Sequence, residues 1–180
     1  MLSEFFYTNA LLDLGFLLVP LLIIKFVEKK ELSLKQFGFK TDGALKDLIL
    51  TFKIIFTLIA ASFLIAIILT IFGLNDLEVV SDVIGAVLQL PIIIIIYFFV
   101  IRVFLEEFFF RAFLVPRLGV ILSSVIFGLA HIGYGSVAEA VGAGALGLVL
   151  AFFYSKHGKI LPNFLAHMIY NVFVISLWLI

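Results

Sequence analysis

Apolar positions in this chain gather into six long blocks with short polar connections, in a setting where roughly 20 residues suffice to cross a hydrocarbon core of about 30 Å. The blocks are about Thr8 to Val27, Leu48 to Phe72, Ile84 to Leu114, Arg117 to His131, Ala138 to Tyr154 and Ile160 to Ile180. The first contains Asp13, Pro20 and Lys25, and Lys53 near one end of the second can snorkel. The third passes through Pro91 and PIIIIIYFFVI. It is longer than a membrane needs, which predicts a helix that tilts or projects beyond the core. The fourth is short at 15 residues, and the sixth is interrupted early by Pro162 and Asn163. The pattern predicts an all-α polytopic fold of about six transmembrane helices in a bundle around a polar cavity. It forms one membrane domain, 1–180, with two spans and a basic loop in 1–82 and the remaining spans in 83–180. No internal repeat or low-complexity tract is visible.

Composition adds that the environment is lipid. Hydrophobic residues make up 64% of the chain, with 22 Phe and only 13% charged residues. With a mean hydropathy of +1.31, this is more apolar surface than a soluble domain of this length could hide. The flank Met1 to Ala10 has no Lys or Arg and includes Glu4, so the first block reads as a membrane helix and not a secretory signal. Twelve basic residues balance twelve acidic ones, leaving no footprint for nucleic acid, and the absence of cysteine excludes disulfides, thiolate metal sites and a Cys nucleophile.

Charge also sets sidedness. Lys29, Lys30, Lys35, Lys40 and Lys46 follow the first block, Arg111 and Arg117 lie at the end of the third, and Lys156 and Lys159 follow the fifth. The other connections, Asn75 to Asp82 and HIGYGSVAE, carry no Lys or Arg. The positive-inside rule then predicts a multi-pass cell-membrane protein with both termini on the non-cytoplasmic side. In the fifth block Ala143, Gly147 and Ala151 recur every four positions, a stripe that lets helices approach closely.

Ionisable residues inside such blocks are expensive and mark function by default. Three groups stand out. In LEEFFFRAFLVP, Glu107 and Arg111 are four apart with the acid first, the favourable order for an intrahelical pair. Glu106 points about 100° away from Glu107 on a helix. Either Arg102, one turn back, neutralises it, or it faces a polar cavity built by other helices. In FGLAH, His131 ends the short fourth block. In HMIYN, His167 and Asn171 share one helical face. At 1.5 Å per residue, Glu106 lies roughly 16 Å from Arg117, His131 roughly 21 Å from it, and His167 roughly 12 Å from Lys159. Tilted helices could bring these depths together.

EEFFFR, FGLAH and HMIYN match E-E-x-x-x-R, F-x-x-x-H and H-x-x-x-N in order and in membrane context. In this the last half of the chain resembles the CPBP family, which includes type II CAAX prenyl endopeptidases and bacteriocin-processing or Abi-type proteins. The resemblance implies a helical bundle with an internal water-accessible cavity, 83–180 as the catalytic core, and an intramembrane endopeptidase. It assigns Glu106 and His131 to water activation, His167 and Asn171 to the oxyanion, and Glu107, Arg111 and Phe127 to structural support. Its favoured subclass is C-terminal CAAX-type processing, with a peptide or prenylated protein as substrate. No cofactor is expected; a zinc version would use Glu106, His131 and His167, although there is no H-E-x-x-H. The rival is a non-catalytic membrane protein, such as a bacteriocin-immunity protein binding a partner through the same cavity. A transporter is disfavoured, because no Gly/Pro-broken spans occupy corresponding positions in two halves.

Overall fold

A computed structural model describes residues 2–177, with side chains described from Asn9 onward except for Leu77. All its regular structure is helical. Helix α1 (Leu2–Leu22) continues through a π turn, Ile23–Val27, and a single 3₁₀ turn, Leu34–Phe37, interrupts the basic loop. Then come α2 (Ala44–Ile71), α3 (Leu77–Leu88), α4 (92–114), α5 (Val115–Ala130), α6 (Val137–His157) and α7 (Ile160–Leu177). Four of these segments are long and apolar enough to cross a membrane: Asn9–Val27, Ala44–Ile71, Val137–His157 and Ile160–Leu177. Outward residues such as Phe56, Ile92 and Ile121 are well exposed, as lipid-facing positions are. The chain is a membrane protein.

Three expected blocks differ in detail. The run from Ile84 to Leu114 is not one helix: α3 ends at Leu88 and a new helix starts after Pro91. Pro91 lacks an N–H and pushes the residue before it out of the helical region, so the chain must break there. Between the third and fourth blocks the expected break near Arg117 falls instead at Gly119, whose φ of 78° and ψ of 176° suit glycine. Pro162 and Asn163 do not interrupt the last helix. Pro162 lies in its first turn, where its missing N–H would have no intrahelical partner anyway. The end of the sixth block, 178–180, lies outside the described residues.

The connections sort to two ends. At one end Arg117 donates to Glu28 at 2.8 Å, and the N–H of Ile160 donates to the carbonyl of Gly38 at 3.0 Å. Buried Lys159 pairs there with Asp42 at 2.7 Å and Asp47 at 2.5 Å. Gly38, at φ 83°, is pressed so close that a Cβ would meet the Gly158 carbonyl at 2.9 Å. Beside it Phe37 packs on Phe108, ring centroids 4.6 Å apart. The chain thus ties LSLKQFGFK to the α6–α7 turn.

At the opposite end Asp76 crosses to the start of α6. Its carboxylate accepts from Ser136 Oγ (2.7 Å) and from the N–H groups of Val137 (2.7 Å) and Ala138 (3.0 Å). Ser136 in turn caps α6 by accepting from the Glu139 N–H at 3.0 Å. The Ser136 hydroxyl and these N–H groups hold the Asp76 carboxyl below the usual aspartate range. Its ionised form is therefore favoured by folding, so this stabilisation is complete above about pH 4 and is lost as pH falls through the lowered value. Asp76→Asn lowers the thermal midpoint at neutral pH, and the gap from wild type closes in acid; a gap independent of pH contradicts the assignment.

Helices α5 and α6 form the tightest pair. A Cβ on Gly128 would sit 2.8 Å from the Ala140 carbonyl and 2.9 Å from the Gly144 Cα. Both are backbone atoms that cannot yield by a rotamer change. Gly128→Ala is expected to cost about 1–3 kcal/mol, read as a lowered unfolding midpoint in detergent. The Ala143, Gly147 and Ala151 stripe is buried, as its spacing predicts.

Candidate active site

Helix α4 is built for crowding. Five isoleucines, Ile92–Ile96, start it, and π turns at Tyr97–Arg102 and Glu107–Leu114 flank one α-helical turn, Val103–Glu106. Such turns often mark functional positions. The two adjacent glutamates fall at the boundary and diverge. Glu107 is fully buried: its Oε1 lies 3.2 Å from Arg111 Nη1 and 2.9 Å from His167 Nδ1, while Asn163 donates to Oε2 at 3.4 Å. Asn163 donates also to the Leu150 carbonyl at 2.8 Å, fixing α7 to α6. Glu106 instead meets Arg102, whose Nε is 3.3 Å from its Oε1. That pairing does not close Glu106 away, because both residues line the same cavity.

Arg111 is as buried as its partner. Its two terminal nitrogens have no hydrogen-bond acceptor among the described residues, and its guanidinium lies 4.0 Å above the Phe127 ring. The charge is thus held by the Glu107 carboxylate and a π face. Phe127 is a shared platform: its ring centroid is 4.6 Å from that of His131 and 6.0 Å from that of His167. Its carbonyl also lies 2.8 Å from His131 Nδ1. A carbonyl only accepts, so Nδ1 carries a proton there. The neutral ring then offers a lone pair at Nε2. For His167, Nδ1 is likewise committed to a carboxylate, and Nε2 is the nitrogen left for a ligand. Gly147 keeps this stack in place, since a Cβ there would meet the Phe127 ring at 2.7 Å.

One cavity of about 750 Å³ brings the expected residues together: Glu106 from α4, His131 following α5, and His167 and Asn171 from α7 all line it. Tyr134 and Glu139 line it too, and neither is singled out by the sequence pattern. Most of the remaining wall is apolar, and α2 and α3 supply much of it with residues such as Leu58, Phe63, Ile67, Val83 and Val87. Among the described residues no three of His, Asp and Glu are grouped to hold a metal ion.

Sequence reasoning overlooks Asn163 as the tie beneath His167. A signal exists: Asn163, His167 and Asn171 recur every four residues along one face of α7. Asp13, a buried carboxylate on α1, accepts from the Tyr97 hydroxyl at 2.6 Å and lies 3.4 Å from Arg102. These partners are 84 and 89 residues away, and no local pattern reveals them.

Neither the curated proteins nor the solved structures gave a match to this chain. A family model does match: that of the Rce1-like type II CAAX prenyl endopeptidases, over residues 88–173. Those residues include Glu106, Glu107, Arg111, Phe127, His131, His167 and Asn171. Over this segment, just under half of its length, the chain is similar to the Rce1-like type II CAAX prenyl endopeptidases.

Proposed function

We propose that the protein is an intramembrane endopeptidase that cleaves a membrane-associated peptide in this cavity, with CAAX-type processing of a prenylated C-terminus as the favoured reaction. The observation that carries the reading is the meeting of Glu106, His131, His167 and Asn171, from three helical segments, on the wall of one cavity. The family match over residues 88–173 supports the class of reaction.

In this reading Glu106 accepts a proton from water as the water oxygen attacks the scissile carbonyl carbon. It returns that proton to the leaving nitrogen as the C–N bond breaks. The Nε2 lone pair of neutral His131 accepts a hydrogen bond from the same water and aims it. Asn171 donates its amide N–H to the developing oxyanion. His167 can donate from Nε2 only when both ring nitrogens are protonated, and Glu107 beside Nδ1 balances that charge. Glu107 and Arg111 support His167 from below.

The apolar wall from α2 and α3 suits an isoprenoid, and a cavity of this size accepts a ligand of that bulk. We read α4 and α5 as crossing the membrane as well. Four charged residues in α4 and the 16-residue length of α5 keep them outside the simple criteria of length and hydropathy. Six crossings put both termini on one side, and the lysine-rich connections on the other side make it the non-cytoplasmic one.

The test is a panel of matched peptides, S-farnesylated and unmodified, presented to the protein in liposomes with and without exhaustive chelation. The reading predicts cleavage of the farnesylated member with the lower KM, unchanged by chelation. Cleavage of neither member favours a binding protein over an enzyme, and loss of activity on chelation contradicts the metal-free mechanism.

A further inference from the structure

Polar groups from α1 and α4 converge on Arg102. Its Nε is 3.3 Å from Glu106, one turn further along α4. Its Nη1 donates to Asn9 Oδ1 and lies 3.4 Å from Asp13 Oδ1. Asn9 and Asp13 are four apart on α1, so one helical face presents an amide and a carboxylate to the cation. Asp13 is itself buried, and the Tyr97 hydroxyl fixes its other oxygen at 2.6 Å.

A guanidinium beside a single carboxylate in a poorly solvated site would bind its charge and blunt it as a base. Here the cation is divided between two carboxylates on different helices. Other titratable groups lining the same cavity are His131, Tyr134, Glu139, His167 and Tyr170, and none of them carries a fixed positive charge. Arg111 also acts on Glu106 through space, but it sits against Glu107.

We propose that Asp13, held by Tyr97, is a positioning residue: it takes up the charge of Arg102 and so leaves Glu106 free to accept the proton of the attacking water. The inference rests on Glu106 being the base. It assigns a role to α1, which lies outside the family match at 88–173.

The test uses the full chain in liposomes with an S-farnesylated peptide ending in Cys-Val-Ile-Met. Asp13→Asn leaves Glu106 as the one carboxylate paired with Arg102, so kcat falls about tenfold while KM stays within about twofold. Adding Arg102→Gln removes the unbalanced cation and recovers most of the lost kcat, a coupling that simple loss of packing would not produce. Tyr97→Phe lowers kcat in the same way but by less, and carries the test if Asp13→Asn does not fold. An unchanged kcat in folded Asp13→Asn, or in Tyr97→Phe, overturns the proposal. So does a double variant no more active than Asp13→Asn. Glu106→Ala separates the two claims: if it cleaves like wild type, the assignment of the base fails and the proposal with it. If it is inactive while Asp13→Asn is unaffected, only the role of Asp13 is lost.

Discussion

Glu106→Ala and His131→Ala are each expected to lower cleavage by roughly a hundred- to ten-thousand-fold, the span typical of losing a positioned general base or its partner. Folding should hardly change. Both side chains line a cavity, and neither supports the core from within. Truncating Glu106 leaves Arg102 with Asp13 and Asn9, so no cation is stranded. Truncating His131 exposes the Phe127 carbonyl to the cavity and removes its ring contacts with Phe127 and Tyr134. The check is kcat/KM on a farnesylated peptide beside the thermal midpoint of the same preparation. A variant that loses activity and midpoint together would place its residue in the scaffold.

Arg111→Ala should do the opposite. Glu107 is completely buried, and without Arg111 its carboxylate keeps only His167 and Asn163. Breaking a buried pair from one side typically costs about 3–5 kcal/mol, because the remaining charge is stranded. The Phe127 ring also loses the guanidinium stacked on it at 4.0 Å. The expected result is a large fall in unfolding midpoint or failure to accumulate. Replacing the pair together, as Glu107→Leu with Arg111→Met, should restore much of the stability by removing both charges. Activity should stay low in that double variant, because His167 has lost the group that holds Nδ1.

Much of the contrast between these two predictions is legible in the order of residues along the chain. Four-residue spacing alone pairs Glu107 with Arg111 and turns Glu106 away, and the two glutamates do diverge. The sorting of loops by charge also matches geometry, since Glu28 meets Arg117 and Asp47 meets Lys159 at one end while Asp76 reaches Ser136 at the other. Hydropathy is a poorer guide to where helices stop. It reads what faces lipid, whereas Pro91 and Gly119 act through the backbone, and an apolar run conceals both. Least legible are partners far apart in sequence. Asn9, Asp13 and Tyr97 around Arg102 each look like isolated polar residues in apolar helices, and only the packing of α1 against α4 gives them a common purpose.

The most direct measurement is mass spectrometry of the products after the purified protein meets an S-farnesylated peptide ending in Cys-Val-Ile-Met in liposomes. The account predicts release of the terminal tripeptide by wild type, at the same rate after metal removal, and none above background with Glu106→Ala. Equal release by wild type and Glu106→Ala, or no release by wild type from this and related prenylated peptides, would contradict it.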